Sequence, residues 1–565
     1  MKTEVRFLLA IGLMLVVLVG TNLLFPPAVP DEPLPADTTA APAGPPVEGG
    51  APRLPPSLET VSPPDTTAAP LVEATPETLV TAEGPLYRYT FSSLGARLVS
   101  AELLQFRSLS TDGLVDLVPE GAGGYLGQRL LVGSDTVDLA RVPFRVDRSS
   151  LVMSEGGGPQ TLRFSYAHPT SPFGVELEYD FTPDAYEVVV RGRVRGVERP
   201  LLLTDLGDGL SFAEADSAGE ARAMAYVANH ARDGIRSTAL GRAGPAVVEG
   251  PLRWAAFRSK FFVMALLAGE TEGADEGDYL GGLIVTPSRL DQRVNVVATQ
   301  SVHDDGSFGY RLFMGPQDYA RLSSLGEDME EVNPYGWKFF RPIVRPFVWI
   351  ITAILVFFHA QLNLGYGWVL ILFGLLMRVV LWPLNQKAMK AQLKNMAAQP
   401  MIQEIQAKYK DNPEKLQKEM MRLYKEEGFN PLAGCLPMLL PWPILIALFF
   451  VFQNTIELRG VAFLWLPDLS APDPIYVLPV FLGISMFLMQ WASMRAVEQV
   501  NPQMKMMMWL MPIMMVFIFF KLASGLNLYY AVSNIATIPQ QIWINNERKK
   551  MKMKGKPAGA AAKKE

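Results

Sequence analysis

Long apolar stretches are the feature that most limits what this chain can fold into. The first, residues 7–25, is about 19 residues long and follows Lys2 and Arg6. Further stretches that are long enough, or nearly so, to cross a hydrocarbon core of about 30 Å lie at about 366–384, 434–456, 474–491, 504–521 and 523–544. The pattern predicts a membrane protein with an N-terminal transmembrane anchor, residues 1–25, and five further transmembrane helices.

A cleaved signal peptide is the alternative for residues 7–25. The apolar region of a signal peptide is normally only about 7–15 residues long and ends at a small-residue cleavage site. No clean Ala-x-Ala site follows here. We therefore expect an uncleaved anchor, followed over residues 26–80 by an extended linker rich in Pro, Ala and Thr.

Charge divides the chain into two parts. Residues 334–565 carry 25 Lys and Arg against 12 Asp and Glu, whereas residues 1–333 carry 26 against 44, so the two parts have net charges of +13 and −18. Segments rich in Lys and Arg are retained on the cytoplasmic side of membranes. The acidic part is therefore expected to be exported.

The same rule predicts the topology. The polar stretch 385–430 and the tail 548–565 are the most basic segments, so both are expected in the cytoplasm. The connection 457–473 has Arg459 as its single base and is expected outside. Six spans then leave both termini of a multi-pass membrane protein in the cytoplasm. Lys521, at the outer end of its span, has no role in this scheme.

The acidic part, residues 81–333, shows a strand pattern. Apolar and polar residues alternate in Tyr87–Phe91, Val175–Phe181 and Val190–Val194, and glycines and prolines separate such runs. This period of two predicts an antiparallel β-sandwich in which each sheet has one wet face. At about 250 residues the segment is large enough to form its own core.

Residues 334–361 are interpreted as an amphipathic helix lying in the outer membrane interface. Its apolar face carries Trp337, Phe340, Ile343, Val344, Phe347 and Val348, with Lys338, Arg341 and Arg345 nearby. A full transmembrane span is the alternative for this segment.

The polar stretch 385–430 is predicted to form a cytoplasmic helical hairpin inside the core domain 362–547. It divides at Asp411-Asn412-Pro413, where Asn412 is suited to cap a helix and Pro413 to occupy its first position. Apolar stripes on the two arms face each other, which is typical of antiparallel helices.

The sequence contains few residues that could form a metal site or a nucleotide-binding site. The chain has one cysteine, Cys435, and four histidines, none of them in a ligand-pair spacing such as HExxH. No GxxxxGK[ST] motif is present. We therefore expect no metal, no cofactor and no enzymatic activity.

Arg378 is the candidate functional residue. It lies within the span at 366–384, where a charge costs at least a few kcal/mol if it faces lipid, so it is expected to face protein or water. The alternative is an arginine that extends to the inner interface.

Neutral polar groups in other spans, including Gln490, Asn527 and Asn534, indicate a wet cavity open to the cytoplasm. Tyr529 and Tyr530 are either contacts for a passing helix or interfacial anchors.

Several motifs resemble those of the YidC family of insertases. They are Met377-Arg378 with Trp382-Pro383-Leu384, then Asn430-Pro431-Leu432-Ala433-Gly434-Cys435-Leu436-Pro437, Asp468-Leu469-Ser470-Ala471-Pro472-Asp473-Pro474 and Ser524-Gly525-Leu526-Asn527-Leu528-Tyr529-Tyr530 with Val532-Ser533-Asn534. The exported part resembles the Gram-negative form of the family. This resemblance implies a multi-pass protein of the bacterial inner membrane, with a periplasmic β-supersandwich beside an insertase core of five transmembrane helices and an N-terminal anchor.

The resemblance implies a function and a site. The chain would insert nascent membrane proteins through a hydrophilic groove, with the ribosome, the Sec translocon and membrane lipids as partners and without a small-molecule substrate. The groove would contain Arg378, Gln490, Asn527, Tyr529, Tyr530 and Asn534, and the hairpin 385–430 would be its mobile cytoplasmic element.

Two other classes are weighed against this one. A solute transporter or channel would show inverted repeats or a pore ring, and neither is visible in the sequence. A membrane-anchored sugar enzyme would use His168 or His230 as an acid–base group, but neither has recognisable motif partners.

Overall fold

The computed structural model describes two regions with separate cores, a β-sandwich and a helical region. The described residues are 77–122, 125–269, 278–288, 293–333, 341–383, 442–494 and 502–554, with residue 386 and scattered positions between 404 and 422. The predicted anchor 1–25, nearly all of the linker 26–80, the motif 430–437, most of the hairpin 385–430 and the tail beyond residue 554 lie outside them.

The smaller sheet of the sandwich has five strands among the described residues. Its order is β4-β3-β2-β1-β8, and the strands are β1 (Leu79–Glu83), β2 (Tyr87–Ser92), β3 (Leu98–Arg107), β4 (Leu114–Asp116) and β8 (Ser150–Val152). Strands β1 and β8 run parallel, whereas the other pairs are antiparallel as predicted. Strand β1 begins two residues before the predicted domain boundary.

The larger sheet has fourteen strands among the described residues. The main path is β6-β5-β12-β18-β17-β15-β16-β19-β11-β10-β9-β7, and β13 and β14 branch from β15. The strands are β5 (Gln128–Val132), β6 (Asp135–Asp138), β7 (Arg145–Val146), β9 (Gln160–Ala167), β10 (Gly174–Phe181), β11 (Glu187–Arg195), β12 (Leu201–Asp205), β13 (Ala225–His230), β14 (Gly234–Ala239), β15 (Ala246–Arg258), β16 (Phe262–Ala268), β17 (Leu280–Pro287), β18 (Val294–Ser301) and β19 (Ser307–Pro316).

Strand β15 connects the two halves of this sheet. Its first part pairs with β17 and its second part with β13 and β16, with a register shift between Glu249 and Leu252. A shift of this kind bends a strand and increases its twist. One long strand thereby contributes to both halves of the larger sheet.

The sandwich core forms where the two sheets face each other. Along β10 the apolar residues Val175, Leu177, Tyr179 and Phe181 are buried, as their alternation predicts. From the smaller sheet, the Phe91 ring packs 4.9 Å from that of Tyr179. The Tyr89 hydroxyl donates a 2.8 Å hydrogen bond to the carbonyl of Met314 in β19. Two short helices, α1 (Ser217–Ala223) and α2 (Tyr319–Ser324), complete the domain.

Helices occupy every predicted span of the C-terminal region that the structure describes. They are α3 (Arg341–Leu362), α4 (Tyr366–Val380), α5 (Trp442–Asn454), α6 (Val477–Met494), α7 (Pro502–Phe519) and α8 (Ser524–Lys554). Buried apolar residues from α3, α4, α5, α6 and α8 form a second core. Helix α8 continues about ten residues past its predicted end, into the basic tail.

Helix α3 meets the sandwich at its N-terminal end. One side, with Val344, Val348, Ile351 and Leu355, is buried in the helical core. Arg345 forms ion pairs with Glu330 and Glu331 at the end of the sandwich, the latter at 3.0 Å. Within the described residues, Pro342–Leu362 is the one helix both long and apolar enough to cross a bilayer; the other apolar helices are shorter. Length and composition permit a full span as well as an interfacial position, so the interfacial position of α3 stays a prediction.

Part of the predicted hairpin is also described. The Asn412 side-chain oxygen accepts a 3.1 Å hydrogen bond from the backbone N–H of Lys415. This is the bond that an N-cap residue makes to the third residue of a helix. The predicted cap at the start of the second arm is therefore confirmed.

Candidate functional site

Arg378 lies in the last turn of α4 and is half-buried. It is twelve residues after Tyr366, about 18 Å along the helix axis. One terminal nitrogen, Nη2, donates a 2.8 Å hydrogen bond to Oε1 of Gln540. The Nε atom is buried and has no hydrogen-bond partner among the described residues. The guanidinium group therefore keeps an unused donor.

Gln540 lies on α8 and its side chain is wholly buried. It accepts from Arg378, while its own Nε2 is buried without a partner in the described part of the chain. A glutamine is neutral, and no carboxylate of the described residues forms an ion pair with Arg378. Within the described residues the positive charge is thus held in place without a neutralising carboxylate, and in surroundings of low dielectric constant its field extends further than it would in water.

Close contact between α4 and α8 brings these two side chains together. A Cβ atom added at Gly374 would lie 3.3 Å from Val532 Cγ1 and 3.6 Å from Tyr529 Cδ2. An alanine at position 374 would therefore require the Val532 side chain to move by a few tenths of an ångström, which shows how closely the two helices approach. Small residues serve the same purpose at many helix contacts in membranes.

Tyr529 is part of the helical core. Its ring lies 5.8 Å from Phe373 of α4 and 5.7 Å from Phe452 of α5, and the residue is 5% exposed. Tyr530 is less buried and packs edge-on against Phe519 at 5.4 Å. Of the two tyrosines, Tyr530 is the more accessible to a passing segment, whereas Tyr529 connects three helices.

The remaining predicted site residues face other neighbours. Asn534 Nδ2 donates to Ser485 Oγ at 3.1 Å, and Gln490 Nε2 lies 3.7 Å from the Met511 sulfur. Asn527 is buried; its Nδ2 donates to the carbonyl of Phe519 at 3.2 Å, and its Oδ1 has no partner among the described residues. In the described residues these three side chains hold α8 and α6 to their neighbours and make no hydrogen bond to Arg378.

Gln540 was not among the predicted site residues, although it is one of the polar residues within the predicted spans. The available signal was a polar residue in an otherwise apolar helix, and Gln541, Ser524 and Thr537 share that property. Which of them faces Arg378, which is 162 positions away in the sequence, depends on how α4 and α8 pack.

The chemistry open to this site is electrostatic. In the described residues no group of three or more His, Cys, Asp or Glu side chains is arranged to hold a metal ion. A positive charge with a spare donor can attract a negative group or a carbonyl oxygen. It has no neighbouring carboxylate or histidine, within the described part, with which to transfer a proton.

Comparisons with known proteins agree with this division of the chain. The family model described as YidC periplasmic domain matches residues 79–350, and the one described as 60Kd inner membrane protein matches residues 357–552. The predicted fold class, a periplasmic β-sandwich domain beside a helical membrane region, is thereby confirmed.

Curated relatives match along most of the chain. The membrane protein insertase YidC of Chlorobium luteolum is 32% identical over 512 residues, which cover 85% of this chain and 84% of that protein. The protein of the same name from Chlorobaculum tepidum is 32% identical over 505 residues, covering 83% and 82%. A crystal structure of an active YidC insertase covers 83% of this chain and 94% of its own at 18% identity and a TM-score of 0.33, and nothing is inferred from that likeness. The matching sequences establish that this chain belongs to the YidC family of membrane protein insertases.

Proposed function

We propose that this protein inserts hydrophobic segments of nascent membrane proteins into the inner membrane through a hydrated groove in its helical region. The observation that carries the proposal is the half-buried charge of Arg378, which is held by Gln540 and, among the described residues, has no carboxylate partner and one donor without a bond. Charged residues within membrane segments are costly and usually mark functional sites. The protein makes and breaks no bond of its substrate.

The groove lowers the free-energy cost of the most unfavourable step of insertion. A polar or acidic flank of the client must cross the hydrocarbon core before the apolar segment can enter lipid. A hydrated groove shortens that crossing, and Arg378 attracts the flank inward. The apolar segment then moves into lipid, which is favourable by about 25 cal/mol per Å² of apolar surface removed from water.

The proposed topology has six spans with both termini in the cytoplasm. The sandwich contacts the connection between α5 and α6, since Lys260 donates a 3.1 Å hydrogen bond to the carbonyl of Ser470. This supports the assignment of that connection to the outer side. Lys521 is exposed in the turn between α7 and α8, three residues before Ser524, whose backbone N–H bonds to the same connection.

The proposed partners are nascent membrane proteins, membrane lipids, the ribosome and the Sec translocon. The basic segment from Arg548 to Lys564 is suited to the phosphate surface of a ribosome, where binding releases counterions and weakens steeply with salt. Truncation after Asn546 should weaken co-sedimentation with ribosomes. Unchanged co-sedimentation would leave this tail with a role in topology alone.

Variants of Arg378 test the proposed function directly. We expect Arg378→Lys to keep much of the activity because it keeps a charge at a similar depth. Arg378→Ala should lose insertion most severely for clients with acidic flanks, and Arg378→Glu should be worse still. The measurement is insertion of one single-span client whose flank charge is varied from about −2 to +2, at matched amounts of each variant.

The alternative of an arginine that extends to the interface predicts a different result. All three variants would then insert the whole client series normally, and only the amount or stability of the insertase would change. Undiminished insertion by Arg378→Ala across the series would remove this residue from the mechanism.

A further inference from the structure

Arg459, from the connection between α5 and α6, is inserted into the sandwich. Its Nε donates to Glu214 Oε1 at 2.6 Å, and its two terminal nitrogens donate to the carbonyls of Arg107 and Ala213, each at 2.9 Å. The side chain is 4% exposed and that of Glu214 is 7% exposed. The guanidinium group also lies over the Phe262 ring, 5.0 Å from its centre.

The short turn before Arg459 contacts both regions. Ile456 is buried in the core of the sandwich, whereas Leu458, two residues later, is buried in the core of the helical region. The turn Ile456–Leu458 therefore joins the two hydrophobic cores.

Lys260 makes the reciprocal contact. It belongs to the sandwich, and its Nζ donates to the carbonyl of Ser470 in the same connection while lying 4.7 Å from the centre of the Phe261 ring. Burial lowers the pKa of Lys260, and the nearby carboxylates of Glu214 and Asp468 oppose that change. In the sequence it is the only lysine between Lys2 and Lys338.

Hydrogen bonds continue from Ser470 to the start of α8. Asp468 Oδ1 accepts from both the backbone N–H and the hydroxyl of Ser470, each at 2.8 Å. The Ser524 hydroxyl donates to the Asp468 carbonyl at 3.0 Å. The backbone N–H groups of Ser524 and Gly525 donate to the carbonyls of Ala471 and Leu469, both at 2.8 Å. The first turn of α8 is thus bonded to the segment that Lys260 holds.

We propose that Arg459 and Lys260 form a two-cation joint through which the sandwich sets the position of the first turn of α8. Each region inserts one cation into the other, so the joint resists both rotation and separation. Because α8 also carries Gln540, the joint aligns the helix that holds Arg378. Arg459 and Lys260 are positioning residues and do not contact the client.

Removing the sandwich's carboxylate from the joint should strongly weaken the contact between the sandwich and the connection. Glu214→Ala would leave the Arg459 charge in a buried site without its carboxylate, which is strongly unfavourable. The connection would be expected to withdraw from the sandwich. Lys260→Met is the milder variant, because it keeps an apolar side chain of similar length. It loses the bond to Ser470 and the charge beside Phe261, Glu214 and Asp468, but it leaves no buried charge without a partner.

The experiment uses full-length protein in detergent or lipid and two structural measurements. Amine-reactive labelling with mass spectrometry reports the accessibility of Lys260, with exposed Lys521 as the internal reference. Hydrogen exchange reports the amides of Ser524 and Gly525. Arg236→Met is the matched control, since it removes an exposed ion pair with Asp233 on the sandwich surface and leaves the joint intact.

We expect Lys260 to be labelled at least about tenfold more slowly than Lys521 in the parent protein, and at a similar rate in Glu214→Ala. Exchange at Ser524 and Gly525 should accelerate in Glu214→Ala and in Lys260→Met, with β10 and β11 unchanged and with no effect of Arg236→Met. Rapid labelling of Lys260 in the parent, or unchanged exchange at Ser524 and Gly525 in both variants, would overturn the joint. Neither measurement depends on insertion, so failure of the joint and failure of the proposed function are distinguishable.

Discussion

Arg459 and Arg378 both belong to the helical region, and their surroundings differ in a way that explains their different uses. Arg459 has a carboxylate, two carbonyls and an aromatic ring around it. Arg378 has one neutral partner, Gln540, and keeps a buried donor without a bond in the described residues. An arginine bonded through all three of its nitrogens and paired with a carboxylate fixes the geometry of a contact, whereas one held by a single neutral partner remains able to attract another molecule.

The surfaces of the two regions differ in the same sense. The outward residues of the sandwich strands are largely polar, as in β11, where the exposed Arg191, Arg193 and Arg195 alternate with the buried Val190, Gly192 and Val194. Helices of the other region expose large apolar side chains, among them Trp349, Phe357, Trp368, Phe517 and Trp543. Such a surface suits contact with lipid. The polar surface of the sandwich suits contact with water.

The largest expected effect comes from making Arg378 resemble Arg459. Gln540→Glu would supply the missing carboxylate and neutralise the charge by forming an ion pair. We expect insertion of clients with acidic flanks to fall by about tenfold or more, close to the loss in Arg378→Ala. The measurement is the same client series with varied flank charge.

Gln540→Leu is the matched control for that variant. It removes the hydrogen bond and keeps the charge unneutralised, so its effect on acidic-flank clients should be smaller than that of Gln540→Glu. If Gln540→Glu inserted acidic-flank clients as well as the parent, the difference between the two arginines would have no bearing on function.

A second prediction separates loss of the sandwich from damage to its contact. Deleting most of residues 84–330, with the first anchor and the end of the domain near 315–333 kept, should leave insertion largely working. The bond between Arg378 and Gln540 and the packing of α8 in the helical core do not involve the deleted residues, and Arg459 would then be solvated by water. Glu214→Ala should lower the insertion rate several-fold more than the deletion does, because it leaves the charge of Arg459 buried without its carboxylate partner.

Complementation of a depletion strain at matched protein levels measures this difference. A stably expressed deletion that fails to support growth would contradict the prediction and would assign the sandwich a direct part in insertion.

The smallest expected effect concerns Glu220, a buried carboxyl of the sandwich close to the joint. One oxygen accepts from the backbone N–H groups of Ala213 and Glu214, and the other has no partner in the described residues. Burial raises the pKa of Glu220 from 4.5 to about 7, with Glu214 adding to the rise and Arg459 opposing it. Lys260 also faces this group.

The sign of the pH effect follows from that rise. The folded state binds a proton that the unfolded chain has already released, so this stabilisation is complete below about pH 4.5 and is lost as the pH rises through about 7. Scanning calorimetry of the full-length protein should show the sandwich transition falling by a few degrees between about pH 5.5 and 8. Glu220→Gln should flatten the change, and an equally steep change in that variant would assign it to another group.

Local patterns in the sequence were sufficient for much of the fold. Alternation in residues 175–181 predicted β10 and its buried face, and Asn412 followed by Pro413 predicted the helix cap that the structure contains. Arg378 could be selected because a charge in an apolar stretch is conspicuous. The order of the fourteen strands and the double use of β15 were not predictable, because pairing between distant strands leaves no local periodicity.

The candidate site divides in the same way. Sequence alone determined that a positive charge lies within the helical region and that α8 carries several polar side chains, since both follow from residue type and hydropathy. Only the tertiary structure decided that Gln540 is the partner of Arg378, that Asn534 and Gln490 bond to other neighbours, and that Glu214 receives Arg459 from 245 positions away. Hydrogen bonds of this kind depend on distances of about 3 Å and on side-chain direction. The packing of helices and sheets sets both, and it does so between segments that lie far apart in the sequence and share no local pattern.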